Sequence, residues 1–177
     1  MKRVLFLHGL ESKANCEKVA WLKSQGYVVL SPSINYREEE CYEYVKRLAE
    51  MFIPDVIVGS SMGGWFAWNM GKDIGVPVLL LNPAVHSRSV QPEIEPCRDC
   101  RPSKVFMALG KQDDVIDPNK TVDWLLENDP LDFNPNNVLQ GDYGHRTSVE
   151  RFIDIWSHFE SDIDRSIEFQ KSVANEV

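Results

Sequence analysis

Short apolar runs alternate along the chain with stretches in which apolar residues recur every three or four positions. The apolar runs predict six strands, at residues 3–7, 27–30, 55–59, 76–82, 104–109 and 137–139. The helical spacing predicts five helices, at residues 14–25, 37–51, 63–74, 119–126 and 146–166. Strands that alternate with helices favour an α/β protein with one parallel sheet and helices on both faces. The functional residues of such a sheet lie beyond the carboxyl ends of its strands.

Two of the predicted helices show which of their faces should be buried. In the helix at 37–51, the apolar face comprises Cys41, Tyr44, Val45 and Leu48. Asn35 and Glu38 resemble a capping pair at the start of that helix. In the helix at 146–166, the apolar stripe comprises Val149, Phe152, Ile153, Trp156, Phe159 and Ile163. The tail after Ser166, which ends with residues 171–177, is expected to fray.

Prolines interrupt the alternation between the fourth and fifth strands. Because proline lacks an N–H donor, regular structure is excluded over most of residues 83–103, which contain Pro83, Pro92, Pro96 and Pro102. We interpret this segment as a cap-like insert in a single domain that spans residues 1–177. A length of 177 residues lies in the ordinary range for one domain.

The composition excludes several classes of protein. A chain with 43% apolar and 26% charged residues is not disordered, collagenous or a coiled coil. A net charge of −8 disfavours nucleic-acid binding, which depends on Lys and Arg to neutralise phosphates. No apolar run approaches the ~20 residues of a membrane span, and the run at residues 4–7 is too short for a signal peptide. We therefore expect a cytoplasmic protein, whose oligomeric state the sequence does not indicate.

The cysteines do not form a convincing metal site. In a reducing cytosol Cys16, Cys41, Cys97 and Cys100 are expected to be mostly thiols, with Cys41 in the core. Cys97 and Cys100 form a lone C-x-x-C pair, whereas a structural zinc site needs four ligands, usually two such pairs. A zinc or redox role for this pair is the less favoured alternative. No metal and no cofactor are expected.

The pentapeptide Gly59-Ser60-Ser61-Met62-Gly63 matches the pattern G-x-S-x-G. It follows a predicted strand and precedes a predicted helix, which is the context that a nucleophile elbow requires. Such an elbow turns the chain sharply and lifts a serine above the sheet, and the flanking glycines permit the turn. Ser61 fits the frame, whereas Ser60 does not, because Val58 stands two residues before it. We predict that Ser61 is a nucleophile.

A serine hydroxyl becomes a good nucleophile only when a base takes its proton. The candidates are the four histidines His8, His86, His145 and His158. His145 lies in a glycine-bearing loop directly after the sixth strand, from which it can reach over the end of the sheet. His158 lies within a helix and His86 precedes the acid candidates, so His145 is the predicted base.

An acid is needed to orient the imidazole and to favour its charged form. Asp113, Asp114 and Asp117 all follow the fifth strand. The local pattern favours Asp113, with Asp114 as the alternative, because Asp117-Pro118 is typical of a helix start. The order Ser61, Asp113, His145 is that of hydrolases with a nucleophile elbow.

Ester cleavage also requires backbone N–H donors for the oxyanion that develops on the substrate. Met62 follows the nucleophile at a helix N-terminus, where the helix dipole assists. The second donor is expected in the turn after the first strand, where Gly9 lets the backbone approach the substrate. We predict Leu10 N–H and Met62 N–H as the oxyanion hole, with His8 as a structural residue.

These residues resemble those of serine esterases of the α/β-hydrolase superfamily, and more narrowly those of the small YqiA-like (UPF0227) family. The resemblance rests on the segments 6–10, 59–64, 81–85, 113–117 and 144–145. It implies a compact α/β-hydrolase fold with about six parallel strands in the order 2-1-3-4-5-6. It also implies an esterase or thioesterase that acts on acyl esters or acyl-CoA, with Ser61, Asp113 and His145 as its triad. The insert with Cys97 and Cys100 departs from the family pattern, so it leaves substrate specificity open.

The leading hypothesis is thus a hydrolase of small-molecule esters or thioesters that forms an acyl-enzyme. The alternative is a binding or scaffold protein that keeps the hydrolase fold without turnover, because fold does not dictate function.

Overall fold

The structure, a computed structural model, describes residues 2–95, 97, 100, 102–128 and 134–174, with side chains as far as Arg165. These residues form a sheet of six parallel strands: β1 (Arg3–Leu7), β2 (Val28–Leu30), β3 (Val56–Ser60), β4 (Val78–Leu81), β5 (Val105–Gly110) and β6 (Val138–Gly141). They lie in the order β2-β1-β3-β4-β5-β6, which confirms the predicted sheet. Each strand begins and ends within two residues of its predicted position.

Within the described ranges, five α-helices cover the sheet: α1 (Glu17–Ser24), α2 (Cys41–Phe52), α3 (Met62–Ile74), α4 (Pro118–Asn128) and α5 (Val149–Ala174). Alternate side chains of β1 point to opposite faces, with Leu5 and Leu7 in one core and Val4 and Phe6 in the other. The first core is completed by α2, α3 and α4, and the second by α1 and α5. Because the inner strands are buried on both faces, they appear in the sequence as continuous apolar runs.

The register of the sheet brings the strand ends level with one another. Leu7 at the end of β1 lies beside Gly59, and Ser60 at the end of β3 lies beside Leu81. Gly110 at the end of β5 lies beside Gly141 at the end of β6. Loops that follow five neighbouring strands therefore start at the same edge of the sheet.

The predicted start and buried face of α2 were both partly wrong. The Asn35 side chain accepts from Arg37 N–H and donates to the Glu38 carboxylate. These contacts form a turn before the helix, which begins at Cys41 rather than at residue 37. Tyr44 is 46% exposed, whereas Tyr42 is buried with its hydroxyl 3.0 Å from the carboxylate of Asp73.

Two other helices also differ from their predicted bounds. Helix α1 begins at Glu17 rather than at residue 14. Helix α5 begins at Val149 rather than at residue 146, and its backbone continues to Ala174, where a frayed tail was expected. Residues 175–177 of that tail lie outside the described residues. Most of the predicted stripe of α5 is confirmed, because Phe152, Trp156, Phe159 and Ile163 are buried, and Ile155 joins them.

The segment between β4 and β5 contains no helix or strand among its described residues, as the prolines predict. Val90 and Ile94 of this segment pack against the core that contains α3. Cys97 and Cys100 are joined by a disulfide, which corrects the expectation of thiols, while Cys16 and Cys41 are free. Pro96 lies outside the described residues. Within the described part of the chain, no helix combines the length and apolar character that crossing a bilayer requires.

Candidate active site

Ser61 lies in a strained turn between β3 and α3. Its backbone has φ 54° and ψ −115°, a conformation that side-chain-bearing residues rarely adopt. Its N–H donates to the carbonyl of Leu81 at 2.9 Å, and its own carbonyl accepts from the N–H groups of Gly64 and Ala84. The turn is therefore fixed from both sides by the neighbouring strand β4 and the chain that follows it.

The two glycines of the pentapeptide are required by close backbone approach. A Cβ atom at Gly59 would overlap the carbonyl of Gly63, and a Cβ atom at Gly63 would overlap the carbonyl of Leu7. Both positions therefore exclude every larger residue while the turn keeps its shape. This packing is the physical reason for the pattern G-x-S-x-G around Ser61.

The predicted serine, histidine and aspartate meet above this edge of the sheet. His145 Nε2 lies 3.0 Å from Ser61 Oγ, and His145 Nδ1 lies 2.8 Å from Asp113 Oδ2. The side chain of Asp113 is 1% exposed. Because a carboxylate accepts from Nδ1–H, the Nε2 lone pair is directed at the serine hydroxyl.

Two backbone donors hold the carboxylate of Asp113. Its Oδ1 accepts from the N–H groups of Val115 and Ile116, both at 2.8 Å. One oxygen is thus engaged by the loop, and the other is left for the imidazole. Asp114, the alternative acid, is exposed and has no hydrogen bond to His145 among the described contacts, and Asp117 accepts from Asn119 N–H at the start of α4.

The other histidines lie outside this arrangement. His8 is buried, with Nε2 accepting from Ile34 N–H at 3.0 Å and Nδ1 2.7 Å from the carbonyl of Gly9. Both of its ring nitrogens are therefore engaged in holding the turn after β1. His86 Nε2 lies 3.1 Å from the Asp117 carbonyl, and His158 is exposed on α5.

Leu10 and Met62 line the cavity into which Ser61 and His145 open, which has a volume of about 930 Å³. Met62 is the first residue of α3, and the N–H groups of a first helical turn have no intrahelical acceptor. Leu10 lies in the turn after β1, which Ser12 N–H closes onto the Gly9 carbonyl. Among the described residues, neither Leu10 N–H nor Met62 N–H donates to a backbone carbonyl. Both remain available to a ligand.

Asn82 is a site residue whose role the sequence analysis missed. It follows β4, is 2% exposed and has a positive φ of 43°. Its Oδ1 accepts from Gly110 N–H at 2.7 Å, and its Nδ2 donates to the carbonyls of Gly144 and His145 at 3.2 and 2.9 Å. Asn82 thus connects the end of β5 to the loop that carries the imidazole. The sequence signals were a buried-type strand that ends in asparagine and the place of Asn82 in the segment 81–85 that resembles the family.

Arg88 lines the cavity and is held in place by backbone carbonyls and by the ring of Trp65. The Arg88 guanidinium donates to the carbonyls of Ala84 and Val85 and lies 4.1 Å from the centre of the Trp65 ring. Burial lowers the pKa of this guanidinium from its ordinary value. The contacts fix the start of the insert beside the serine, because Ala84 also donates to the Ser61 carbonyl.

Tyr143 packs beneath the loop that carries His145. Its ring lies against the backbone of Gly110 and Gly141. A Cβ atom at Gly110 would overlap the Tyr143 carbonyl, and a Cβ atom at Gly141 would overlap the Tyr143 ring. Burial raises the pKa of its hydroxyl to about 12. The hydroxyl is therefore un-ionised at neutral pH and serves the packing of the loop. Within the described residues, no group of three His, Cys, Asp or Glu side chains is placed to hold a metal ion.

Solved structures place this fold among the α/β hydrolases. A Xanthomonas campestris protein assigned to the alpha/beta hydrolase superfamily superposes with a TM-score of 0.69 at 15% identity, over 92% of this chain and 99% of that chain. Arabidopsis thaliana SOBER1 gives 0.61 at 17% identity, over 94% and 99%. The esterase domain of a Rhodothermus marinus protein gives 0.59 at 16% identity, over 87% and 83%. At such identities the likeness establishes the fold.

The sequence itself identifies the family. Residues 3–97, more than half of the chain, match the uncharacterised protein family UPF0227, and the chain belongs to this family. A comparison with curated proteins gives no significant match.

Proposed function

We propose that the protein is a serine hydrolase that cleaves carboxylic esters or thioesters, acyl-CoA among them, through an acyl-enzyme. The observation that carries the proposal is the unbroken series of contacts from Ser61 Oγ through His145 to Asp113. A hydroxyl, an imidazole and a buried carboxylate in this order form the arrangement that activates serine.

Acylation begins when His145 Nε2 takes the proton of Ser61 Oγ as the oxygen attacks the substrate carbonyl carbon. Negative charge then develops on the substrate oxygen and is stabilised by the N–H groups of Leu10 and Met62. Each such donor contributes about 3–4 kcal/mol to the transition state. Collapse of the intermediate breaks the bond to the leaving group, and the imidazolium returns the proton to the departing alcohol or thiol.

Deacylation repeats these steps with water as the nucleophile. His145 takes a proton from the water as its oxygen attacks the acyl carbon, and the same two N–H groups stabilise the new oxyanion. The acid is then released as the Ser61 hydroxyl regains its proton. Throughout, Asp113 orients the imidazole and stabilises its protonated form, while its own proton state does not change.

Covalent labelling with a fluorophosphonate probe tests the proposal directly. We expect one adduct per chain, located on Ser61 by peptide mass spectrometry. Ser60→Ala is the matched control, because Ser60 lines the same cavity but its hydroxyl lies outside the relay. It should label as the wild type does, and Ser61→Ala should not. A wild-type protein that stays unlabelled contradicts the proposal and favours a binding protein that keeps the fold without turnover.

A further inference from the structure

The cavity above Ser61 carries a charge opposite to that of the whole chain. Its lining contains the cations Lys13, Lys18, Arg88 and Arg146 and the acids Glu11 and Asp114, so its formal charge is 4 − 2 = +2. The chain as a whole has a net charge of −8. A cleft whose sign differs from that of its surroundings concentrates ligands of the opposite charge. The lining therefore favours anions at the one place where the proposed chemistry occurs.

Among the cations of this lining, Lys18 is the one whose position is least accounted for by ion pairs and packing within the chain. It lies half-buried in the first turn of α1, where the helix dipole opposes a positive charge. Among the described residues, no carboxylate lies within salt-bridge distance of its ammonium group. Burial lowers its pKa from the ordinary value of a lysine, because the ammonium has lost part of its hydration. A bound anion would compensate for that lost hydration.

The other charges of the lining do not neutralise Lys18. Glu11 is exposed and lies 3.9 Å from Arg37, so it has a cation of its own. Asp114 lies on the loop of Asp113 at the exposed mouth of the cavity. Lys13 and Arg146 are exposed at the same mouth and add positive charge there.

On these observations we propose that the substrate is an anionic ester or thioester, whose carboxylate or phosphate is bound by Lys18 with Lys13 and Arg146 at the cavity mouth. This inference rests on the proposed function, because it names the substrate class of the same site. Lys18 contributes binding and orientation: it holds the charged end of the substrate while the ester carbonyl lies at Ser61. Removing its charge should therefore weaken anionic substrates selectively.

Two pairs of substrates separate the possible sources of the charge. 4-Nitrophenyl hexanoate and mono(4-nitrophenyl) glutarate differ by a carboxylate at the end of the acyl chain. S-butyryl-pantetheine and S-butyryl-4′-phosphopantetheine differ by a phosphate on the leaving group. We expect kcat/KM to be about tenfold higher or more for the anionic member of at least one pair, which is the lower end of what a hydrogen bond to a charged group contributes. The preferred pair then identifies which end of the substrate carries the charge.

The decisive variant is Lys18→Met, which keeps the apolar stem and removes the ammonium. It should lower kcat/KM for the anionic member to the level of the neutral one and leave the neutral one within about twofold. Lys23→Met removes the same charge from the exposed end of α1 and should change neither value. Lys18→Arg should retain the preference, which guards against a variant that merely unfolds.

Equal turnover of both members in both pairs would overturn the inference, as would a Lys18→Met variant that loses both members equally. Either result is distinguishable from failure of the proposed function. If the proposed function itself fails, the wild type hydrolyses neither the neutral nor the anionic members, and Ser61 does not react with the fluorophosphonate.

Discussion

Asn82 Nδ2 lies 2.9 Å from the carbonyl oxygen of His145, so a side chain at the end of one central strand holds the backbone of the proposed base. The same amide accepts from Gly110 N–H, at the end of the strand next to it. Asn82 therefore helps to hold the imidazole above Ser61, although it has no hydrogen bond to the Ser61 hydroxyl or the Asp113 carboxylate among the described contacts. Asn82 is a positioning residue.

Replacing Asn82 by aspartate should impair turnover while leaving substrate binding almost intact. Asn82→Asp keeps an acceptor for Gly110 N–H but points a carboxylate oxygen at two carbonyls, which disfavours the loop geometry at a cost of about 1–3 kcal/mol. We expect kcat to fall about tenfold or more with little change in KM, and fluorophosphonate labelling to slow equally.

Asn69→Asp provides the control for that experiment. Asn69 also donates its amide to a backbone carbonyl, that of Trp65, but it lies within α3. It should leave kcat unchanged. An Asn82→Asp variant that raised KM alone, or that lost stability without losing kcat per folded molecule, would argue against positioning.

Removal of the Ser61 hydroxyl should abolish the proposed nucleophile without unfolding the chain. We expect Ser61→Ala to lower kcat for a 4-nitrophenyl ester by at least ~10³-fold, since the relay then has no oxygen to activate. Circular dichroism should be unchanged. Turnover retained in this variant would show that another group performs the reaction.

The strained backbone of Ser61 predicts that activity and stability oppose each other at this position. Glycine adopts a positive φ without the steric cost of a Cβ atom, which is about 1–3 kcal/mol here. Part of this gain is offset because glycine loses more conformational entropy on folding. The net expectation is that Ser61→Gly is about 1 kcal/mol more stable than Ser61→Ala. Urea unfolding of the two inactive variants measures the difference. Equal midpoints would mean that the turn stores no strain.

Packing at Gly63 predicts a severe loss of stability on adding one methyl group. A Cβ atom there would overlap the Leu7 carbonyl, which belongs to the neighbouring strand and has no room to retreat. Gly63→Ala should lower the free energy of unfolding by about 3 kcal/mol or more. Gly144→Ala is the control, because its Cβ atom would meet its nearest neighbour at 3.5 Å, an ordinary contact. Similar unfolding curves for both variants would contradict the overlap.

The lowered pKa of Lys18 predicts how the preference for anionic substrates depends on pH. The ammonium is present at low pH and is lost as the pH rises through the folded-state pKa, which lies below the ordinary pKa of a lysine. Burial is the main cause, and neighbouring Cys16 and Glu17 act weakly in the opposite sense. The ratio of kcat/KM for anionic and neutral substrates should therefore fall with rising pH before ordinary lysines titrate. In Lys18→Arg the ratio should stay constant, and a decline there too would assign the titration to another group.

The sheet could be predicted because its inner strands are buried on both faces, so each is a continuous apolar run between polar turns. The strand order came from resemblance to a family, because apolar patterns do not determine which strands are neighbours. Helix starts were less predictable, since side-chain contacts such as those of Asn35 decide where the first turn forms. Tyr44 was wrongly predicted to be buried because helical spacing alone fits two adjacent faces of α2. In the structure the helix is rotated so that Tyr42 is buried, with its hydroxyl in contact with Asp73.

The candidate site was predictable where its residues have local signals. Ser61 has the glycine frame, and Asp113 and His145 each follow a strand in the order that the chemistry requires. The roles of these three residues stay predictions, although the structure brings their side chains together. The segment 81–85 marks Asn82 without indicating its role, and Lys18 has no local signal, because the roles of both depend on which distant loop lies beside them.

Ser61 and His145 are attached to parts of the sheet with unequal resistance to local opening. The serine is bonded to β4, which has a strand on each side, whereas His145 follows β6, which among the described strands has a neighbour on one side only. Strands at the margin of a sheet detach at lower free energy than central ones. A fluctuation that peels β6 away would withdraw the imidazole while the hydroxyl stayed in place. The site would then lose its activity at a temperature below the midpoint of global unfolding, so thermal loss of turnover would precede loss of the fold.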